Sequence, residues 1–212
     1  MGNFKVLVDK LLKRVLDYLV KHGFEKKIYG QSFHKKIDGG RQNIHISVIK
    51  HDNDFDVTVS AGLRFDKLED LKNEDNNLLS EKDKKETSTL GVELGNLTEG
   101  AQKRWTIVEE SDIELVTKYI YDYILHSGFP FLEKYSNMEN TFELVKRDDP
   151  EVWIFDALHN RRAMNAVGLA YLLKKGDITL NIIEEKAIFL KKRNDFGLQT
   201  FLLFAEKIRA ML

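Results

Sequence analysis

The chain contains no cysteine and only two prolines among 212 residues. Without cysteine there is no disulfide framework, no thiol nucleophile and no thiolate metal site. No apolar run approaches the roughly 20 residues that cross a bilayer as a helix. The first residues lead straight into an amphipathic segment rather than the apolar core of a signal peptide, so a soluble, cytoplasmic protein is expected. Basic and acidic residues nearly cancel, 33 against 34, which argues against nucleic acid, whose binding normally takes a basic surplus. There is no phosphate-binding Gly-rich loop, no dinucleotide fingerprint and no G-x-S-x-G nucleophile elbow. No cofactor is expected.

What is present reads as α+β. Phe4, Leu7, Val8, Leu11, Leu12, Val15 and Leu19 recur at the helical period, and Gly23-Phe24 supplies the stop. Residues 32–38 and 42–50 flank Gly39-Gly40, read as a type I′ hairpin turn. With those glycines as the loop, Phe33 faces Ile46 and His34 faces His45. A third run alternates strictly, with Phe55, Val57, Val59, Ala61, Leu63 and Phe65 on one face and Asp56, Thr58, Ser60, Gly62 and Arg64 on the other. Residues 90–97 and 103–108 are candidate fourth and fifth strands. The expected fold is an antiparallel sheet of four or five strands, packed by amphipathic helices on one face and followed by a helical C-terminal region.

Residues 66–86 are dense in Asp, Glu, Lys and Asn and read as an exposed connection with a short helix near Leu68 and Leu71. Capping boxes open helices at Ser111–Glu114 and Ser136–Glu139, the first of these helices ending at Gly128 before Pro130. Asp149-Pro150 starts another helix. Further helices follow at about 150–159, 161–175, 178–194 and 198–212. The expected division is an α+β domain over 1–148 and a helical extension over 149–212. Residues 161–212 carry ten Lys/Arg against five Asp/Glu, so the first 160 residues have a net charge of −6.

Catalytic residues are not identified. Asp54/Asp56, Glu109/Glu110, Asp148/Asp149 and Glu184/Glu185 lie in polar stretches, where solvated charge is the expectation rather than an acid–base pair. The facing pair His34 and His45 is the one geometric candidate for a metal, with His51 or Asp52 as third ligand. Against it stands the plainer reading of two polar residues on a wet face. Lys36, His34, His45, Arg64 and Trp105 form the candidate interaction surface.

The leading helix closed by Gly23-Phe24-Glu25-Lys26-Lys27, then Phe33, Ile44-x-Ile46, Phe55-x-Val57, Trp105-Thr106-Ile107 and Gly128-Phe129-Pro130-Phe131-Leu132 appear in an order that resembles bacterial proteins of domain-of-unknown-function family 4304, over about residues 4–145. The resemblance brings no activity with it. Small bacterial proteins of this look are suspected immunity partners of secreted toxins, which makes a non-enzymatic protein-binding module the first functional expectation. An enzyme whose site is not recognisable from sequence, and a helical scaffold that forms a homodimer, are the alternatives.

Overall fold

A computed structural model describes residues 2–212, with side chains from Phe4 onward. In chain order the elements are α1 (Gly2–Leu19), β1 (Ile28–Tyr29), β2 (Ser32–Ile37), β3 (Gly40–Lys50), β4 (Phe55–Phe65), α2 (Asp66–Asn73), α3 (Glu81–Glu86), β5 (Leu90–Glu93), α4 (Leu94–Thr98) and β6 (Trp105–Ile107). The chain then turns helical: α5 (Asp112–Tyr123), α6 (Phe129–Tyr135), α7 (Met138–Val145), α8 (His159–Leu172), α9 (Asp177–Lys192) and α10 (Leu198–Met211). The α+β class holds, with an antiparallel sheet and a helical C-terminal region. No helix among the described residues is long and apolar enough to cross a membrane.

The chain divides into two compact units, and not at residue 148. One unit is Met1–Leu63 with Gly91–Lys134; the other is Arg64–Leu90 with Tyr135–Leu212. The charged stretch after β4 therefore belongs with the C-terminal helices, because it buries side chains among them.

The first unit is organised by the sheet, whose strand order is β1-β2-β3-β4-β5, with β6 also paired to β4. Phe33, Ile44, Ile46, Phe55, Val57, Val59 and Leu63 are all buried on it, as the alternation requires. Helix α1 buries Leu7, Leu11, Val15 and Leu19 and packs on α5, where Tyr18 stacks on Tyr121 at 4.4 Å between ring centres. Gly23 closes the first helical segment with φ +83°, and the Phe24 amide bonds back to the Leu19 carbonyl at 3.3 Å. That is the Schellman closure expected from Gly23-Phe24.

Several local expectations are corrected. The β2–β3 hairpin turns on Asp38-Gly39, not Gly39-Gly40, because Ile37 pairs with Gly40. Gly39 has φ +69° and Asp38 no positive φ, so the turn has left-handed backbone only at its second central residue, the requirement of type II and not of type I′. The register moves by two, placing Phe33 opposite Ile44 and His34 opposite Asn43. An even shift keeps each side chain on its face.

Neither capping box forms. The Ser111 hydroxyl donates to Glu109 at 2.7 Å, while the Asp112 carboxylate accepts from the amides of Val108 and Glu109 at 2.9 and 3.0 Å. At the second site Asn137 rather than Ser136 caps, accepting from the Glu139 and Asn140 amides at 2.8 and 3.2 Å. The helix also does not stop at Gly128. It widens into a π-turn over Ile124–Gly128 and continues as α6, which accommodates Pro130 by relaxing the hydrogen-bond ladder where the proline has no amide to offer.

The second unit is built around α8. Its residues from Arg162 through Ala170 are buried without a break, and α2, α7, α9 and α10 pack against it. Gly168 leaves the space that the Leu68 side chain fills. The expected 150–159 helix is a single 3-10 turn, Pro150–Ile154, capped by Asp149 accepting from the Glu151 amide at 3.2 Å.

Candidate functional site

The residues singled out from sequence do not form one surface. His34 is 8% exposed, with its ring stacked on Tyr29 at 4.3 Å. His45 is half-buried and its Nδ1 lies 2.8 Å from the Ser32 hydroxyl, its partner across the hairpin. The two-residue register shift separates these imidazoles into diagonal positions. His51 turns instead to Asp56, 3.3 Å away. No group of three metal-ligating side chains occurs among the described residues, so the histidine pair lacks the ligand set that a metal site would need. Trp105 is 8% exposed, edge-on to Tyr123 at 5.1 Å. Lys36 is exposed.

Arg64 is 3% exposed and belongs to the second unit. Its guanidinium donates to Asp66 and Asp70 at 2.8 and 3.0 Å, to the carbonyls of Lys84 and Thr87 at 3.0 Å each, and to the Thr87 hydroxyl at 2.7 Å. It is a tie holding the 66–87 stretch in place and is unavailable to a partner.

Burial pushes the His45 imidazole below its ordinary pKa. It does the same to His159, where the Arg162 and Arg193 charges add to the effect. The unfolded chain, with histidine near 6.5, therefore takes up these protons first as pH falls. The stabilisation is fully present above about pH 6.5 and is lost as pH drops through the folded values. Urea midpoints are expected to be lower at pH 5.5 than at pH 7.5, with a smaller difference in the double variant His45→Gln/His159→Gln. An unchanged difference in that variant would remove both histidines as its source.

The polar group of greatest chemical interest lies in the second unit. Helical spacing puts Glu69, Lys72 and Asn73 on one face of α2. This face is buried, with the Glu69 and Lys72 side chains 2% and 5% exposed. The Lys72 ammonium donates to Glu69 at 2.7 Å and to the Asn165 side-chain oxygen at 2.6 Å. The Thr89 hydroxyl donates to Glu69 at 2.9 Å, and the Asn165 amide donates to the Thr89 carbonyl at 2.8 Å. Asp156 accepts from Arg161 at 2.9 Å and from Asn165 at 3.4 Å. Two ion pairs are thus linked through one buried asparagine.

Burial lowers the Lys72 pKa, and Glu69 opposes this only in part. For Glu69, burial acts to raise the pKa, but the Lys72 charge and the hydrogen bonds from Lys72, Thr87 and Thr89 outweigh it, leaving the carboxyl below its ordinary value. Glu69 is thereby held ionised and Lys72 held in place by two acceptors, an arrangement that orients a charge rather than freeing a nucleophile.

Beside this pair opens a cavity of about 620 Å³. Glu69, Lys72 and Arg161 line it together with Leu71, Leu158, Met164, Leu203 and Phe204. Lys207 closes one edge by donating to Glu74, to Asp75 at 3.0 Å and to the Leu71 carbonyl at 3.4 Å.

Sequence reading missed this group because the density of charge in 66–86 matched a solvated connection. One signal was available. Asn165 is the lone polar residue in the run Ala163-Met164-Asn165-Ala166-Val167-Gly168-Leu169-Ala170, and a polar side chain so placed must find buried partners. Compared with known proteins, the chain matches no family model, no curated protein and no solved structure.

Proposed function

We propose that the second unit is a receptor for a small amphipathic molecule, held in the cavity between α2, the 74–88 connection, α8 and α10. The observation that carries this reading is the joining, within one compact unit, of an apolar wall (Leu71, Leu158, Met164, Leu203, Phe204) to a buried, hydrogen-bonded ion pair (Glu69–Lys72). Mostly apolar concavities of this volume with a few fixed polar groups are the usual form of small-molecule sites. Titratable groups with shifted pKa values concentrate in such places. The proposal keeps the expectation of a binding protein and changes the expected occupant from another protein to a small molecule.

Nile red, an uncharged fluorophore that brightens in apolar surroundings, tests the site directly. The protein should bind one molecule per chain. Leu203→Trp, at an exposed position on the cavity wall, should fill the mouth and weaken binding about tenfold or more while leaving the urea midpoint unchanged. Binding that is absent in the parent protein, or undiminished in the folded variant, overturns the reading.

A further inference from the structure

The two linked ion pairs beside the cavity are unbalanced between donors and acceptors. Every carboxylate oxygen in the linked ion pairs is already engaged. Glu69 Oε1 accepts from Lys72 and Thr89, and Oε2 from Asn73 at 3.5 Å. Asp156 Oδ2 accepts from Arg161 and Asn165, and Oδ1 from the Leu158 amide at 3.2 Å.

The cations are not engaged to the same degree. An ammonium has three donors and a guanidinium five. Lys72 meets two acceptors among the described residues, Glu69 and Asn165. Arg161 uses Nε alone, toward Asp156, which leaves both terminal amino groups without an acceptor among the described residues. Both side chains line the cavity, Lys72 buried and Arg161 with 41% of its side chain exposed. Lys207, the third cation on the lining, is different, because it already reaches two carboxylates and a carbonyl.

A ligand that offers hydrogen-bond donors finds no unoccupied oxygen on Glu69 or Asp156, although Asn160 Oδ1 on the same lining is buried without a partner, whereas one that offers acceptors finds two cations with donors to give. Resting on the reading of the cavity as a ligand site, we propose that its occupant is an amphipathic organic acid. Its carboxylate accepts from the planar Arg161 fork and from Lys72, and its apolar body lies along Leu71, Leu158, Met164, Leu203 and Phe204. The planar guanidinium suits a carboxylate, which can take two parallel hydrogen bonds from it.

Isothermal titration at pH 7.5 with decanoate, decanol and decyltrimethylammonium, each below its aggregation concentration, separates head-group chemistry from apolar burial. Decanoate should bind about tenfold or more tightly than decanol, the difference that charge-assisted hydrogen bonds confer. The ammonium compound should bind more weakly than either. Arg161→Gln should bring decanoate to within about threefold of decanol. Lys191→Gln, an equal change of net charge at an exposed position on α9, should leave the preference intact.

If Arg161→Gln lowers the urea midpoint, Arg161→Lys carries the test. It keeps a charge facing Asp156 but removes the fork, and decanoate should still bind several-fold more weakly. Equal affinity for decanoate and decanol, or a full preference retained by a folded Arg161 variant, overturns the assignment of an acid while Nile red binding keeps the cavity standing. Failure of Nile red and of all three decyl compounds removes the cavity reading itself.

Discussion

Replacing Glu69 with alanine is expected to destabilise the second unit by about 3–5 kcal/mol, because it leaves the Lys72 ammonium buried without its counter-ion. The loss is not confined to one contact. The Thr89 hydroxyl and the Asn73 side-chain amide also give up an acceptor at Glu69, and a buried donor without a partner carries its own penalty. Set against a typical domain stability of about 5–15 kcal/mol, this is a large fraction.

The two tryptophans allow the effect to be assigned. Trp153 lies in the second unit and Trp105 in the first. In a Trp105→Phe background the fluorescence of Trp153 should report a urea midpoint shifted strongly downward by Glu69→Ala. Adding Lys72→Met, which replaces the orphaned ammonium with an apolar chain, should recover at least half of the loss, as exchanges of buried ion pairs for apolar groups often do. A cost below about 1 kcal/mol, or no recovery in the double variant, would show that the pair is not a buried ion pair in solution.

The second large effect is expected at Gly95 in the first unit. A Cβ built there stands 2.5 Å from both the Ala101 carbonyl oxygen and the Lys103 amide nitrogen. These are backbone atoms, so no side-chain rotation relieves the clash and the 101–103 segment must move. That segment is held from the other side by Glu93, whose carboxylate accepts from the Lys103 amide at 3.3 Å and from the Asn96 amide at 3.2 Å. Gly95→Ala should therefore cost about 3 kcal/mol, the upper end of ordinary overpacking penalties. The shift should be visible in Trp105, which begins β6 two residues beyond Lys103. A midpoint within experimental error of the parent would mean that the close approach of α4 to this segment does not exist in solution.

The parts of the fold legible from sequence are those where one physical rule acts alone. In α1 the 3.6-residue period of leucines and valines meets no competing signal, and Gly23 has a left-handed backbone that few other residues adopt cheaply. In β4 the strict alternation from Phe55 to Phe65 names the buried face correctly. The opposite face of β4 shows where the rule weakens, since Thr58 and Arg64 are buried as well. An alternating pattern tells which residues are apolar, not whether something covers the polar ones.

The hairpin was open to a different failure. Asp38-Gly39 and Gly39-Gly40 are both acceptable turns, and both choices bury the same residues. The register that separates His34 from His45 is therefore invisible to hydrophobic pattern, and the facing of the two candidate ligands followed from the wrong alternative. The cavity was illegible for a deeper reason. Glu69 and Lys72 lie on α2 and Asn165 on α8, far away in sequence, and a charged helix that buries its charges against a partner looks like any exposed charged helix until that partner is known.

That separation has a consequence for how the molecule is made. Lys72 and Asn165 are 93 positions apart, so α2 leaves the ribosome well before the helix that will cover it. Throughout that interval Glu69, Lys72 and Asn73 stand in water, and closing so long a loop is entropically costly before any contact repays it. A segment built of leucines in place of these charges would spend the same interval as an aggregation hazard. The acidic and basic side chains that give 66–86 the appearance of a solvated connection thus suit it to the time when it is one, and their mutual neutralisation suits it to the interior afterwards.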